Sequence, residues 1–258
     1  MAEIMYLRPT GINQYIDQCS AQYYFQNIEK IKTPNKYHLA FGTSLHHAVA
    51  KNYKQKIETK VDLPSEEVEQ EFSDAIDLEM SFVEKADFTE VKPGQLKDQG
   101  LALLKKYQAE VAPRVFPLAV EQTIRAKYAG YDYGLQGTLD LFDIYSIVTD
   151  HKTTAKEIKG NTVGYERQVG GFYPLLAEAA FRKPVKGSHI HYFRRDTGTV
   201  HVRQVKIDKD YALKTLQQVG DAIKAGVFLT NRTSFLCTRR FCRFWNECEK
   251  KYGGSVKP

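Results

Sequence analysis

The sequence predicts an α/β fold, a small mixed sheet flanked by helices. Three observations lead there. Apolar residues in the first third recur at helical spacing, short β-rich runs take over after Pro113, and no Gly/Ser linker, repeat or low-complexity tract divides the 258 residues. With 42% hydrophobic and 26% charged residues the chain can bury one substantial core, which excludes disordered and fibrous classes. The reading is one domain, 1–258, with a mainly helical part at 1–112, an α/β core at 113–226 and a tail at 227–258.

Helices are expected over 11–30, about 40–56 and 65–85, the last with Val68, Phe72, Ala75, Ile76, Leu78 and Phe82 near helical period. Pro93-Gly94 breaks the pattern, and 95–111 resumes it until Pro113. Strands are expected at 116–127 and 135–144, joined by a turn-like segment from Tyr128 to Gly134, and at 146–150. A helix follows at 163–181, then strands at 186–194 and 199–207 around the hairpin signal Asp196-Thr197-Gly198, and a last helix at 208–225.

A formal charge of +6 favours a polyanionic partner at low salt without requiring one. No apolar run is long enough to cross a bilayer, and residues 1–10 lack the basic-then-apolar order of a secretory signal. The expectation is a soluble protein of the cytoplasm or nucleoid, with no membrane partner.

The chain has four cysteines, and Cys237, Cys242 and Cys248 lie within twelve residues while Cys19 is over 200 residues away. Such a set suits four sulfur ligands that tie the tail to the N-terminal helix. Zinc and a [4Fe-4S] cluster both accept four thiolates, and the alternative is four incidental free thiols.

A second constellation falls on the strands. Strand residues two apart share a face, so Asp150 and Lys152 point the same way, and a hairpin-like connection brings Asp140 beside Asp150. Two half-buried carboxylates repel unless a divalent cation lies between them, and Mg²⁺ takes oxygen ligands while keeping waters. One such water, with its pKa lowered, is a nucleophile for a phosphodiester, and the lysine orients it or offsets charge on the phosphate. The alternative is a plain surface ion pair at a strand end.

In combination these segments resemble a family. Gly42-Thr43-Ser44-Leu45-His46, Gly137-Thr138-Leu139-Asp140, Asp150-His151-Lys152-Thr153 and the region of Gln168, in this order, are similar to the motifs of the RecB-like branch of the PD-(D/E)XK nucleases. Tyr15-Ile16-Asp17-Gln18-Cys19, Tyr23-Tyr24-Phe25 and the C-terminal cysteine trio resemble the iron-sulfur variant shared by Cas4 proteins and the AddB and Dna2 nucleases. The resemblance implies a restriction-endonuclease-like core, DNA cleavage dependent on Mg²⁺ or Mn²⁺, and a [4Fe-4S] cluster on Cys19, Cys237, Cys242 and Cys248. It makes Asp140 and Asp150 metal ligands, Lys152 the catalytic lysine and His46 the histidine that completes the metal site. The backbone carbonyl of His151 is a further ligand, Glu121 an additional candidate, and Gln168 contacts DNA or positions the lysine. Two departures stand out. Four residues rather than two separate Cys237 from Cys242, a loop variant that keeps the ligand count, and the usual tyrosine four residues after the glutamine is Phe172, with Tyr173 next.

His46 and His47 are about 100° apart on a helix, so one faces the site, and the spacing from Gly42 picks His46. The basic, aromatic run with Arg239, Arg240 and Arg243 either binds single-stranded DNA by charge and stacking or packs around a cluster. The expected function is a metal-dependent deoxyribonuclease, an exonuclease on single-stranded ends, coupled to a recombination, repair or CRISPR-adaptation partner. The rival is a catalytically silent DNA-binding or adaptor module of a larger complex; retention of His46, Asp140, Asp150 and Lys152 together favours the enzyme.

Overall fold

The β-rich stretch after Pro113 builds the centre of a six-stranded mixed sheet in the computed structural model, which describes residues 4–83, 92–155, 163–234, 236–239 and 241–253. Strand β1 (Tyr6–Leu7) was not anticipated; it is only two residues long. Strand β2 (Pro117–Ala126) pairs antiparallel along β3 (Gly134–Asp143). Strand β4 (Ile147–Thr154) runs parallel to β5 (Gly187–Arg194), and β6 (Thr199–Gln204) closes that side as an antiparallel neighbour of β5. The third strand thus continues past 150, because β5 pairs with it through Thr154.

Two cores sit on the sheet. Phe41, Leu45, Val49 and Tyr53 of α3 (Tyr37–Thr59), Val68, Phe72 and Ile76 of α4 (Ser65–Ser81), and Leu96, Leu103, Leu104 and Tyr107 of α5 (Pro93–Glu110) pack with Leu141 and Phe193. The other core joins Phe142, Val148 and Ile190 to α7 (Tyr173–Phe181) and α8 (Lys209–Lys224). Helix α4 buries an i, i+4, i+8 row, whereas Leu78 and Phe82, counted in the apolar pattern, are exposed. Leu78 lies some 200° round the helix from Ile76, and Phe82 follows the last helical residue. Residues 84 and 85 of that expected helix lie outside the described residues. No helix among the described residues is long and apolar enough to cross a membrane.

The expected helix over 11–30 is broken. Helix α1 (Pro9–Asn13) passes into a π-helical turn, Gln14–Gln18; Cys19 is extended (φ −166°, ψ 121°); α2 (Ser20–Tyr23) and a second π-helical turn, Tyr24–Ile28, follow. The tail explains the break. The Ala21 N–H donates to the Leu229 carbonyl (3.1 Å), and Ser20 Oγ accepts from the Leu229 N–H (2.7 Å), so partners from the chain's far end replace helix hydrogen bonds. The tail also carries helix α9 (Trp245–Tyr252), which the sequence reading does not anticipate; Phe244, which precedes it, and Tyr252, its last residue, pack on Phe25 at ring-centroid distances of 5.8 and 6.1 Å.

Candidate active site

One edge of β3 is taken by β2 along its length. The other edge pairs with β1 only at Gly134 and Leu135, and with β4 only at Leu141–Thr149 and Phe142–Val148. The next pair in the β3–β4 register would be Asp140 and Asp150, where the ladder stops and the strands fork. The His151 N–H donates instead to Asp140 Oδ2 (2.7 Å). On the β2 side, Glu121 lies between Val120 and Gln122, the partners of Leu141 and Leu139, and so falls level with Asp140 although the two are not a ladder pair. Three carboxylates, Glu121, Asp140 and Asp150, therefore occupy one cross-strand row. Glu121 holds a positive φ of 50°, a left-handed conformation uncommon outside glycine and costly enough to need support from its surroundings.

Side chains from two further elements close on this row. His46 projects from α3, donates through Nε2 to the His151 carbonyl (2.8 Å), and sets Nδ1 3.5 Å from Asp140 Oδ2 and 3.9 Å from Glu121 Oε1. Burial opposes a charge on His46, but the Asp140 carboxylate and the Glu121 hydrogen bond outweigh it and push the imidazole up to about 9. Its neighbour His47 turns away to Glu71 (3.2 Å), as the helical offset requires. Lys152 Nζ lies 3.0 and 2.8 Å from the two oxygens of the fully buried Asp150, yet Asp150 Oδ2 accepts no hydrogen bond of good geometry. Burial works against the Lys152 charge; Asp150 and Asp140 prevail and raise its pKa, so the lysine is an ammonium throughout the neutral range.

The residues present fit a hard divalent cation. The donor set is oxygen and imidazole, an anionic buried oxygen lacks a hydrogen bond, and neighbouring ligands of an octahedral ion at about 2.1 Å lie about 3 Å apart, near the His46–His151 carbonyl distance of 2.8 Å. His46, Asp140 and His151 each offer an atom within 4.8 Å of the others. The His151 imidazole was not foreseen in this role. It is buried against Tyr107, whose hydroxyl bridges His151 Nε2 (3.1 Å), His191 Nδ1 (3.0 Å) and the Tyr53 hydroxyl (2.6 Å), and burial keeps it neutral.

Gln168 begins a π-helical turn, Gln168–Phe172, between α6 (Val163–Arg167) and α7. The extra residue in that turn resolves the displaced tyrosine: Gln168 Nε2 donates to the Tyr173 hydroxyl (2.6 Å), a partner five residues on. Gly170 and Gly171 permit the turn to pack. A Cβ on Gly170 would stand 2.2 Å from the Lys206 carbonyl oxygen, and one on Gly171 2.6 Å from the Ala212 Cβ. Gly170→Ala is therefore expected to destabilise the fold by about 1–3 kcal/mol, as overpacking against backbone does, and to lower catalytic rate by displacing Gln168; thermal melting and rate assays check both effects. From the other side, Asn13 Nδ2 donates to Gln168 Oε1 (3.2 Å), while Arg167 grips Asn13 (2.7 Å) and Asp17 (2.6 Å).

His46, Glu121, His151, Lys152 and Gln168 line one open cleft of about 1150 Å³. The four cysteines line a separate small cavity, and Gln18 borders both. The Asn231 N–H points at Cys19 Sγ (3.3 Å) and Gln22 Nε2 at Cys242 Sγ (3.5 Å). Burial raises the Cys242 and Cys248 thiols, and the neighbouring cysteines add to it. Around them Arg239 lies over the Trp245 ring (4.4 Å) and Arg243 donates to Thr33 Oγ1 (3.2 Å), so these two pack within the tail region while remaining exposed. Arg240 lies outside the described residues.

This sheet and site correspond to a known class. The sequence matches the PD-(D/E)XK nuclease superfamily over residues 8–249, and the chain belongs to that superfamily. A structure from Eubacterium rectale bearing the name "Putative exonuclease" shares the fold at a TM-score of 0.56, with 12% identity over 90% of this chain and 86% of that one. The structure named SSO0001 aligns over 94% of this chain and 93% of its own at 14% identity and a TM-score of 0.40. No curated protein matches the sequence.

Proposed function

We propose that this protein is a divalent-metal-dependent deoxyribonuclease that degrades single-stranded DNA from its ends and carries a structural [4Fe-4S] cluster. The observation that carries the reading is the gathering of Glu121, Asp140 and Asp150 at the β3–β4 fork against His46 and Lys152, of which Glu121, His46 and Lys152 line the cleft. Asp140, Asp150, His46 and the His151 carbonyl would hold Mg²⁺ or Mn²⁺, with Glu121 as a further ligand. Such an ion supplies Lewis acidity at the phosphate and lowers the pKa of water. Lys152, an ammonium beside Asp150, would donate to the attacking water or to a phosphate oxygen and offset the charge that builds there. Gln168, held between Asn13 and Tyr173, orients Lys152 or the strand.

The cysteine cavity supports the cluster. Four thiolates on a single zinc at about 2.3 Å would crowd to less than 4 Å from one another. Among the described residues no three of the cysteine sulfurs gather within 4.8 Å. A larger polynuclear centre suits that spread, and the N–H groups aimed at Cys19 and Cys242 are of the kind that tune cluster sulfurs. Gln18 borders cleft and cavity alike, so the cysteine-bearing tail closes beside the cleft, an arrangement that would favour a threaded single strand, with the exposed Arg239 and Arg243 of that tail adding positive charge. The chain acts as one unit, in the cytoplasm, with unwinding left to a recombination, repair or CRISPR-adaptation partner.

The test compares linear and covalently circular single-stranded DNA of one sequence, with Mg²⁺ or Mn²⁺ and after chelation. Linear DNA should be degraded and circular DNA spared, with all activity lost on chelation. Equal rates on both forms would remove end dependence. Inertness toward both with either metal would remove the nuclease itself.

A further inference from the structure

Arg195 is a cation of the cleft that the chemistry above leaves unused. It directly follows β5, and its backbone N–H donates to the Thr154 carbonyl (2.9 Å), which fixes it at the end of β4, two residues beyond Lys152. The guanidinium lies over the rings of Phe41 (5.2 Å) and Tyr37 (5.9 Å) of α3. Phe41 is fully buried, so the shelf is rigid. Stacking holds the planar group by its face and leaves its N–H edges to hydrogen-bond. Arg195 lines the same cleft as His46 and Lys152.

The other arginines nearby are neutralised within the protein. Arg194 pairs with Asp196 (2.8 Å), Arg203 with Glu166 (2.5 Å) and Arg167 with Asp17 (2.6 Å). Among the described residues no carboxylate pairs with Arg195. A half-buried guanidinium with no carboxylate partner, presented to an open cleft, has charged donors available to a bound anion. Two strand residues, about 7 Å, separate Lys152 from Thr154 along β4, the scale of one nucleotide step in an extended strand.

We propose that Arg195 is a phosphate-binding residue that holds the DNA phosphodiester neighbouring the one cleaved beside Lys152. This rests on the nuclease reading and deepens it: the substrate is gripped by its backbone at a second point, so recognition is indifferent to base sequence. Arg195→Ala is expected to raise KM for a single-stranded oligonucleotide about tenfold, the loss of one charge-assisted contact, while kcat stays within about twofold. The slope of log affinity against log salt should fall by about 0.7. Arg195→Lys should keep that slope and recover only part of the affinity, because a point charge replaces a planar fork. An oligonucleotide scanned with single uncharged methylphosphonate linkages supplies the discriminating readout. One linkage adjacent to the cleaved bond should weaken the wild type as much as Arg195→Ala does, and should weaken Arg195→Ala no further. Wild-type KM and salt slope in Arg195→Ala would overturn the assignment, as would neutral linkages that cost both proteins equally at every position. A protein that neither binds nor cuts DNA with Mg²⁺ or Mn²⁺ would overturn the nuclease reading and this assignment with it.

Discussion

Asp150→Asn should lower DNA cleavage by about two to three orders of magnitude while DNA binding persists. The carboxylate is fully buried in the row where the β3–β4 ladder stops, and the amide keeps its shape while removing the anionic oxygen that faces Lys152. Lys152→Ala should lose a similar factor, with a second consequence: the Asp150 charge, left buried without its partner, should destabilise the fold. The pair of variants therefore separates chemistry from folding, since Asp150→Asn leaves its unpaired charge on Lys152, which is partly exposed and still faces Asp140, whereas Lys152→Ala leaves it on a fully buried carboxylate. Ca²⁺ should support binding with little turnover in the wild type. Single-turnover cleavage, filter binding and thermal melting read the three effects. Wild-type cleavage by Asp150→Asn would show that the row is not the reactive centre.

The second large effect concerns the cysteines. Anaerobically purified protein should be brown and contain about four irons per chain, and Cys19→Ala should lose colour and iron as fully as Cys242→Ala. Both sulfurs line one cavity although they are drawn from opposite ends of the chain. The tail should then come loose from α2, lowering the melting temperature, because Leu229 and Asn231 reach the N-terminal segment beside Cys19. Stoichiometric zinc without iron would replace the cluster with a simple staple and leave the cleavage chemistry unaffected.

Much of this was legible in the residues, and the gaps have physical causes. Alternation on β4 was enough to put Lys152 on the face of Asp150, because strand period is rigid, and the hairpin-like connection brought β3 alongside, although the ladder ends one position short of an Asp140–Asp150 pair. The helical offset separated His46 from His47 for the same reason. Glu121 could be named only through resemblance: its place in the row depends on a positive φ that no residue pattern announces. The π-helical turn at Gln168 escaped because an α-helical count puts Phe172, not Tyr173, at the partner position; the paired Gly170-Gly171 was the signal available. The break at Cys19 answers hydrogen bonds from residues over 200 positions away, and local propensity carries no trace of them. Helix α9 was missed although Phe244, Cys248 and Tyr252 stand four apart, since aromatic and basic residues were weighed as a binding tail instead.

The N-terminal segment bears on how the protein is made. Several of its contacts are with distant chain: Tyr6 pairs with Gly134, Asn13 reaches Gln168 across 155 positions, and the Tyr15 hydroxyl donates to the Val227 carbonyl across 212. Contacts so remote in sequence form late, since the closing of long loops must precede any gain from them. A chain emerging from the ribosome can assemble β2, β3 and their helices, with β1 on β3, while Asn13, Tyr15 and Cys19 wait for partners not yet translated. Gln168 can be steadied once Tyr173 has been made, whereas the cysteine cavity cannot close before Cys248 has. A growing chain thus holds its sheet before it holds its staple, and the N-terminal segment gains its anchor at Cys19 last.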